Sequence, residues 1–233
     1  MKTYSKHTRL LVAVDCIIFG YDILEKELKL LLIKRSFNPA KGRWSLAGGF
    51  VEKYESLDEA ACRVLVTLTG LENVYLEQYY SYGQIDRDPG ARVISTAYYA
   101  LIKIKDINKK LKKENGAHWQ PIGDLPDLIF DHPDMVLRAL KELQMQVKVK
   151  PVGFELLPEK FTLVQLQDLY EAICQRSMDK RNFRKKILSK QILEKLEEKE
   201  KKTSRKGAFY YRFIKERYEN LIHKDFYFNL DVN

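Results

Sequence analysis

The sequence has little cysteine. Its 233 residues include three, Cys16, Cys62 and Cys174. They are odd in number, widely spaced and set among apolar residues, so the pattern indicates neither a disulfide framework nor a zinc-binding motif. We predict that all three are buried free thiols, and that the chain holds no metal and needs no cofactor.

A hydrophobic run long enough to span a membrane is also lacking. Met1–Arg9 is basic and Leu10–Phe19 is mostly apolar, an arrangement that superficially resembles a secretion signal. However, Asp15 interrupts the apolar run and no small-residue cleavage site follows, so we predict a first β-strand here. These absences favour a cytoplasmic protein with no membrane partner.

Positive charge is in excess and is unevenly distributed. The chain has 41 Lys and Arg against 32 Asp and Glu, a net charge of +9. From Pro151 onward there are 18 basic and 13 acidic residues, a net of +5 in 83 residues, against 23 and 19 in the first 150. A denser positive charge in the C-terminal part is expected of a nucleic-acid-binding surface, although a solvated surface would also account for it.

A spaced pattern in the first half of the chain lacks its acidic centre. The residues that are present are Gly49, Glu55, Arg63, Leu65, Gly70 and Leu71. Their spacing resembles the Nudix box, in which glutamates are expected at the positions that Val64, Thr67 and Leu68 occupy here. The resemblance implies a Nudix fold, and the missing glutamates bear on its activity.

The box segment is predicted to form a helix. Ser56 and Glu59 make a capping box at its start, and Gly70 suits its C-terminal end. Positions 64, 67 and 68 then lie on one face. In an active Nudix enzyme this face holds divalent metal, because hard cations need several carboxylate oxygens close together.

Here the same face is largely apolar and continues into the stripe that should pack on the core. The stripe comprises Leu57, Ala60, Ala61, Val64, Leu65 and Leu68. We therefore predict that the chain is not a metal-dependent hydrolase, although a binding cleft can outlast the chemistry. Glu55, Glu59 and Arg63 fit a salt-bridged helix surface better than a remnant catalytic site.

The rest of the first part indicates an α/β domain. Strands are predicted at Leu10–Phe19, Leu28–Ile33 and Val93–Ile104, with turns at Tyr21–Glu27, Asn38–Arg43 and Asp86–Gly90. A helix is predicted from Pro133 to about Gln144, after Asp131 and His132. Pro151 and Gly153 then interrupt the pattern and mark a domain boundary near Val147–Glu155.

Two helices separated by a short turn follow this boundary. Thr162 and Gln165 form a capping box for the first, which ends near Gln175, and Asp179 caps the second. This arrangement suggests a helix-turn-helix motif. In the second helix, Phe183, Ile187 and Leu188 are predicted to face inward. The candidate DNA-binding residues are Lys180, Arg181, Asn182, Arg184 and Lys185, whose long donors suit base edges and phosphates.

A basic loop lies between two short predicted strands, Ile192–Leu196 and Ala208–Phe213. The loop, Glu197–Gly207, supplies further candidate DNA-binding residues: Lys201, Lys202, Thr203, Ser204, Arg205 and Lys206. Behind a helix-turn-helix motif, such a loop is typical of a wing that contacts phosphates or the minor groove. A solvated charged loop is the alternative.

Taken together, these motifs resemble the Nudix-related transcriptional regulators, in which a Nudix domain precedes a winged helix. The resemblance covers nearly the whole chain and implies an α+β fold: a Nudix-type α/β/α sandwich in residues 1–150 and a winged helix-turn-helix domain in residues 151–233. Members of this family are mostly repressors that sense ADP-ribose, whereas a branch from Bacteroides-type bacteria senses arabinose. The sequence looks most like that branch.

The resemblance also implies partners and a mechanism. We expect a homodimer that binds a pseudo-palindromic double-stranded DNA operator, because two-fold symmetric subunits match two-fold symmetric half-sites. A small effector, either a sugar such as L-arabinose or ADP-ribose, would bind the old substrate cleft and release the DNA. The expected function is a repressor of sugar-utilisation genes.

Candidate effector-binding residues come from the predicted border of the cleft. They are Lys34, Arg35, Arg43, Trp44, Glu52, Tyr80 and Asp86. The arginines suit a pyrophosphate, and Trp44 could stack on a sugar or belong to the core. Two other functions remain open: a Nudix hydrolase of ADP-ribose or a sugar nucleotide, and an adaptor whose basic helix binds an acidic protein partner.

Overall fold

The computed structural model describes residues 4–104, 111, 116–201 and 207–222. Its contacts divide the chain into two compact units. The first comprises Met1–Gly20 with Lys29–Ala139, and the second comprises Tyr21–Leu28 with Leu140–Asn233. The predicted division after residue 150 falls within the second unit.

A β-sheet is the centre of the first unit. The strands are β1 (Leu11–Asp22), β2 (Glu27–Lys34), β3 (Trp44–Ser45), β4 (Ala47–Phe50), β5 (Glu77–Tyr82), β6 (Val93–Lys103) and β7 (His118–Pro121). Their order is β3-β2-β1-β6-β5, with β4 paired to β1 and β7 paired to β2. The long β1 is buried from Ala13 to Tyr21, as expected of a central strand covered on both faces.

The three predicted strands are confirmed as β1, β2 and β6. The predicted turn at Tyr21–Glu27 starts too early, because β1 continues through Asp22, where Tyr21 is still buried. Four strands were not predicted. Of these, β4 contains Gly48 and Gly49, which weaken the strand signal, and it pairs with β1 so that Gly48 lies opposite Asp15.

The box helix is α1, Leu57–Thr69, and its predicted ends are confirmed. Ser56 and Glu59 form the reciprocal capping box, and Gly70 ends the helix in the left-handed conformation at φ 78°. Ala60, Ala61, Val64 and Leu65 are buried in the core, while Leu57 and Leu68 are partly buried against it. The predicted apolar stripe is therefore confirmed.

Helix α2 spans His132–Val149 and is longer than the predicted Pro133–Gln144. Met135, Val136, Ala139, Leu143 and Val147 are buried at helical spacing, which carries the amphipathic pattern beyond the predicted end. None of the described helices is long and apolar enough to cross a membrane.

The second unit is a winged helix fold. Its elements are β8 (Phe161–Thr162), α3 (Leu163–Cys174), α4 (Lys180–Ser189), β9 (Leu193–Glu200), β10 (Ala208–Phe213) and α5 (Lys215–Ile222). The strands form a small sheet in the order β8-β10-β9. Both predicted caps are confirmed: Thr162 with Gln165 starts α3, and the Asp179 carboxylate accepts the N–H of Asn182 at the start of α4.

Side-chain packing between α3 and α4 agrees with the predicted helix pair except at one residue. The rings of Tyr170 and Phe183 lie 5.8 Å apart, and Phe183 and Ile187 are fully buried. The prediction that Leu188 faces inward is wrong, because it follows Ile187 around the helix and its side chain is 42% exposed.

The wing differs from its prediction in length. The first strand extends to Glu200, where Glu200 pairs with Ala208, so Glu197–Glu200 belong to β9 and the predicted loop starts too early. All residues of this edge strand except Leu193 and Leu196 are lysine or glutamate, and such a strand carries a weak strand signal. Residues 202–206 lie outside the described residues.

The cysteine prediction is confirmed in part. Cys16 is buried, and its thiol donates to the carbonyl oxygen of Ala61 at 3.6 Å. Cys62 is exposed and Cys174 is half-buried, so the prediction of buried thiols is wrong for Cys62 and only approximate for Cys174. Cys62 lies on α1 next to the buried Ala61, on the side of the helix that faces away from the core.

Candidate functional site

A cavity of about 580 Å³ opens in the first unit between α1, the sheet and the start of α2. Two predicted effector-binding residues, Lys34 and Arg35, line it, and so do the box residues Thr67 and Leu68. This volume lies within the range of about 300–1,000 Å³ that is usual for small-molecule sites. The cavity is therefore large enough for a complete small ligand.

At the positions of α1 where the resemblance expects metal-binding glutamates, the chain has Val64, Thr67 and Leu68. Val64 is 3% exposed and belongs to the core, and a Cβ at Gly49 would lie 2.8 Å from its Cγ2. Thr67 and Leu68 form part of the cavity wall. The described residues contain no cluster of three or more His, Cys, Asp or Glu side chains suited to a metal ion.

The retained polar residues of the box hold its backbone in place. Nε and Nη2 of Arg63 donate to the carboxylate of Glu55 at 2.8 and 2.5 Å, and Nη2 also donates to the carbonyl oxygen of Phe50 at 2.9 Å. The carboxylate of Glu55 accepts the N–H of Glu52 at 2.7 Å. This clamp connects the end of β4 to α1, which agrees with the predicted salt-bridged surface for Glu55 and Arg63.

The clamp predicts a pH-dependent stability. Its hydrogen bonds from Arg63, and then from Glu52, lower the pKa of Glu55 from 4.5 to about 2. A depressed carboxyl pKa stabilises the fold above the unfolded-state value near 4.5, and this contribution is lost as the pH falls through about 2. We expect Glu55→Gln to lower the melting temperature at pH 7 and to lose its difference from the parent protein near pH 2.

The matched control is Glu52→Gln. The side chain of Glu52 is 72% exposed and lies 3.8 Å from Arg63, so its replacement should change the melting temperature much less. Equal effects of the two substitutions at pH 7, measured by thermal unfolding, would count against the clamp.

A connected group of polar side chains lies at and beside the cavity, and we call it the polar cluster: the buried Asp15, Arg87, Ser95 and His132, and the half-buried Asp131. Oδ2 of Asp15 accepts the hydroxyl of Ser95 at 2.6 Å and lies 3.5 Å from Nη2 of Arg87. Asp15, Arg87 and His132 line the cavity although they are 6%, 7% and 4% exposed. Buried polar groups in a cavity point to ligand recognition more strongly than surface charges do.

Arg87 forms a bidentate salt bridge with Asp131. Its Nε and Nη2 donate to the two carboxylate oxygens at 2.8 and 2.7 Å, the geometry of a strong guanidinium–carboxylate pair. Although burial acts to lower it, the bonds and charges of Asp131 and Asp15 raise the pKa of Arg87. The guanidinium therefore stays charged inside the protein.

His132 is neutral and its tautomer follows from its hydrogen bond. Burial lowers the pKa of the ring, against the opposing charge of Asp15. Its Nδ1 accepts the N–H of Leu46 at 3.1 Å, so the proton of the neutral ring lies on Nε2. Nε2 faces Oδ1 of Asp15 at 3.7 Å.

The cations at the cavity wall have fewer protein partners. Nε of Arg35 donates to the carbonyl oxygen of Pro39 at 2.6 Å, and its guanidinium lies 4.0 Å from the ring centre of Phe37 and 5.4 Å from that of Phe130. Nζ of Lys34 lies 5.1 Å from the ring centre of Trp44. Lys34 and Arg35 suit an anionic group of a ligand.

The other predicted effector-binding residues do not line this cavity: Arg43, Trp44, Glu52, Tyr80 and Asp86. Trp44 is half-buried against His118, with ring centres 5.8 Å apart. The guanidinium of Arg138 lies 3.9 Å from the ring centre of Tyr80. Arg43, Glu52 and Asp86 are exposed.

Asp15, Arg87 and His132 were not among the predicted effector-binding residues. The sequence signal for Asp15 is a charged residue inside an apolar strand, which by itself does not indicate a ligand site. Arg87 lies next to the predicted Asp86, and which of the two turns inward depends on the loop conformation. The position of His132 just before a predicted helix indicates a residue at a helix start and gives no sign of the cavity.

In the second unit, the candidate DNA-binding residues of α4 lie on its open side. Arg181, Arg184 and Lys185 are exposed, Lys180 is exposed at the first turn, and Asn182 is half-buried. Lys201 is exposed at the end of β9. The remaining predicted residues, Lys202, Thr203, Ser204, Arg205 and Lys206, lie outside the described residues.

The described wing strands also present cations beside an aromatic ring. Nζ of Lys195 and Nζ of Lys199, both on β9, lie 3.8 and 4.4 Å from the ring centre of Phe209 on β10. The ring therefore supports the lysine stems and keeps the ammonium groups close together.

Two domain families match the chain. The NUDIX domain matches residues 9–139, and the NrtR DNA-binding winged helix domain matches residues 153–213. The two matches follow the order of the motifs in the sequence.

Similar proteins include regulators and an enzyme. The ADPR responsive transcriptional repressor NtrR of Acinetobacter baylyi is 32% identical over 213 residues, 90% of this chain and 84% of that protein. The ADP-ribose pyrophosphatase of Methanocaldococcus jannaschii is 37% identical over 139 residues, 58% of this chain and 76% of that protein. The crystal structure of Shewanella oneidensis NrtR complexed with a 27mer DNA has a TM-score of 0.74 and 27% identity, and covers 89% of this chain and 95% of that one.

Proposed function

We propose that this chain, which belongs to the NrtR family of regulators with a Nudix domain and a winged helix domain, is a DNA-binding transcriptional repressor that ADP-ribose releases from its operator. The observation that carries the proposal is the basic open face of α4, present in the same chain as a ligand-sized cavity whose former metal face is apolar. Such a chain can bind DNA and can bind an effector.

ADP-ribose is the first candidate effector. Both relatives are named for it, one as a repressor and one as a pyrophosphatase. Lys34 and Arg35 at the cavity wall suit its pyrophosphate, and the cavity volume of about 580 Å³ suits a ligand larger than one sugar. Neither name supports the expectation that the effector is arabinose. A free pentose remains the second candidate because of the buried polar cluster.

We also propose that the chain does not hydrolyse ADP-ribose. In the positions of the metal-binding glutamates, Val64 is packed in the core and Thr67 and Leu68 form cavity wall. These side chains cannot supply the carboxylate oxygens that magnesium prefers. The bound effector would therefore persist as a signal.

The experiment measures DNA binding by the full-length protein. Duplexes that it selects from a random pool are titrated with and without ADP-ribose, and fluorescence anisotropy reports the affinity. We expect ADP-ribose, with AMP as a control, to weaken the specific complex, because an effector acts through its different affinity for the DNA-bound and released forms. The stoichiometry of the complex tests the expected homodimer on a palindromic site.

Two results of this experiment, and one of a separate turnover assay with magnesium, would contradict the proposal. Unchanged DNA affinity at saturating ADP-ribose would contradict the proposal that ADP-ribose releases the protein from its operator. Binding to every duplex alike, with competition by any acidic polymer, would favour an adaptor for acidic partners. Recovery of AMP and ribose phosphate from ADP-ribose with magnesium would identify an active hydrolase.

A further inference from the structure

One polar side chain in the second unit is buried on an otherwise apolar helix face. Gln167 is 5% exposed on α3, where every other buried side chain is aliphatic or aromatic. A buried amide costs free energy unless its polar atoms form hydrogen bonds. The partners of Gln167 therefore indicate what a polar residue does at this position.

The hydrogen bonds of Gln167 hold the turn between α3 and α4. Its Nε2 donates to Oε1 of Glu171 at 2.8 Å and to the carbonyl oxygen of Met178 at 2.9 Å. The same Oε1 of Glu171 accepts the backbone N–H of Met178 at 2.7 Å. Met178 is buried outside any helix or strand, so both of its backbone polar groups are bonded to side chains of α3.

Met178 directly precedes the residue at which α4 is capped. The carboxylate of Asp179 accepts the N–H of Asn182 at 2.7 Å, and its carbonyl oxygen accepts the N–H of Phe183 at 2.9 Å. The first turn of α4, which carries Arg181 and Asn182, therefore follows directly from a backbone segment that is fixed on α3. A displacement of Met178 would displace this turn with it.

Apolar packing between the two helices does not define the position of this turn by itself. Phe183 and Ile187 are fully buried, and the rings of Phe183 and Tyr170 lie 5.8 Å apart. Apolar burial is non-directional, so it holds α4 against α3 but tolerates small rotations and shifts. Hydrogen bonds weaken steeply when their angles change, and two of them on one residue restrict its position much more.

We propose that Gln167 and Glu171 are positioning residues for DNA recognition: through Met178 they set the orientation of the first turn of α4 towards the base edges, without contacting DNA themselves. The inference rests on the proposed function, because it concerns the specific DNA complex. Base readout requires donors within hydrogen-bond reach of particular base edges, whereas phosphate contacts carry no sequence information. Loss of these bonds should therefore reduce discrimination between sequences more than it reduces DNA binding in general.

The test replaces Gln167 with methionine, which keeps an unbranched side chain of similar length and removes its donor. The affinities of the full-length protein for a selected operator and for a scrambled duplex are measured by fluorescence anisotropy. We expect Gln167→Met to lower the ratio of the two affinities about tenfold, the effect of losing one base contact. A merely structural role would lower the melting temperature and leave this ratio unchanged, and an unchanged ratio overturns the proposal.

The matched control is Gln146→Met. Nε2 of Gln146 donates to Oε1 of Glu142 at 3.1 Å, so the same two residue types form the same bond at the same spacing on α2, and the affinity ratio should stay that of the parent protein. Glu171→Gln is the conservative variant, because its amide oxygen can still accept from Met178 and Gln167. It should retain most of the discrimination that Glu171→Met loses, and equal ratios in these two variants contradict positioning by hydrogen bonds.

A measurement on the unmodified protein does not depend on the folding of these variants. The backbone N–H of Met178 should exchange with deuterium much more slowly than that of Ser177, which is exposed in the same turn. Equally fast exchange at both positions overturns the proposal. Failure of the proposed function gives other results: a DNA affinity that does not respond to ADP-ribose contradicts regulation but not positioning, and a parent protein that binds every duplex alike contradicts both.

Discussion

Replacing Val64 with glutamate should lower the free energy of unfolding by about 3 kcal/mol or more, although it restores a residue of the Nudix box. Val64 is 3% exposed and packs among the core residues of α1 and the sheet. The longer side chain must displace neighbours, and its carboxyl group must lose water without a built partner. Each of these costs about 1–3 kcal/mol.

The neighbouring box position provides a matched control. Thr67 is exposed on the same face of α1 and lies at the cavity wall, so Thr67→Glu should change the stability by less than about 0.5 kcal/mol. Urea unfolding of both variants at neutral pH measures the difference. A Val64→Glu variant as stable as the parent protein would show that position 64 accommodates a carboxylate, which would contradict its assignment to the core.

This prediction bears on whether glutamates at the three box positions could form a metal site in this fold. If Val64 is part of the core, then adding carboxylates at positions 67 and 68 leaves the metal site one ligand short, and adding the third destabilises the fold. Magnesium binding would therefore not be regained by simple reversal of the substitutions. The clamp of Arg63 and Glu55 gives these two box residues a structural role: it holds the backbone between β4 and α1.

Local sequence signals predicted the helices well because each depends on residues close in the chain. The capping residues Ser56, Thr162 and Asp179 lie within three residues of the N–H groups that they accept. The apolar stripe of α1 is likewise a local periodicity. The prediction that Leu188 faces inward was wrong. Leu188 lies next to the buried Ile187, at the edge of the apolar stripe, and there the burial of a side chain depends on the packing against other elements and not on the sequence period.

The polar cluster could not be predicted in the same way. Its bonds join Asp15 to Ser95 across 80 residues and Arg87 to Asp131 across 44, so they depend on the pairing of distant elements. Asp86 and Arg87 are adjacent, yet one is exposed and the other buried, because a loop has no periodicity from which to infer direction. The predicted list therefore favoured accessible side chains over those that line the cavity.

The second large effect is expected at the open face of α4, where Arg184→Ala should weaken the specific DNA complex by about 1–3 kcal/mol, or roughly 5- to 150-fold. Arg184 is exposed one residue after the buried Phe183, which anchors the helix to α3. Its loss leaves that packing intact, so the melting temperature should stay unchanged. Binding isotherms on a selected operator, and on a duplex with the sequence scrambled, measure the effect.

Comparison with Lys185→Ala distinguishes base recognition from phosphate contact. If Arg184 contacts a base, its removal weakens binding to the selected operator far more than binding to the scrambled duplex. If Lys185 contacts a phosphate, its removal weakens binding to both duplexes alike. It also lowers the slope of log affinity against log salt concentration by about one. Lys215→Ala is the control, since its side chain is exposed on α5 and pairs with Glu219 at 3.5 Å.

Unchanged operator affinity in Arg184→Ala would contradict the assignment of α4 as the recognition helix, provided that the variant melts like the parent protein. An equal loss of affinity for both duplexes would mean that α4 still contacts DNA but that Arg184 contacts the phosphate backbone and not a base. Sequence discrimination would then have to come from Arg181 or Asn182, whose guanidinium and amide groups are the other donors in the first turn of the helix suited to base edges. Among the described wing residues, Lys195 and Lys199 carry ammonium groups, which are point charges that suit phosphates.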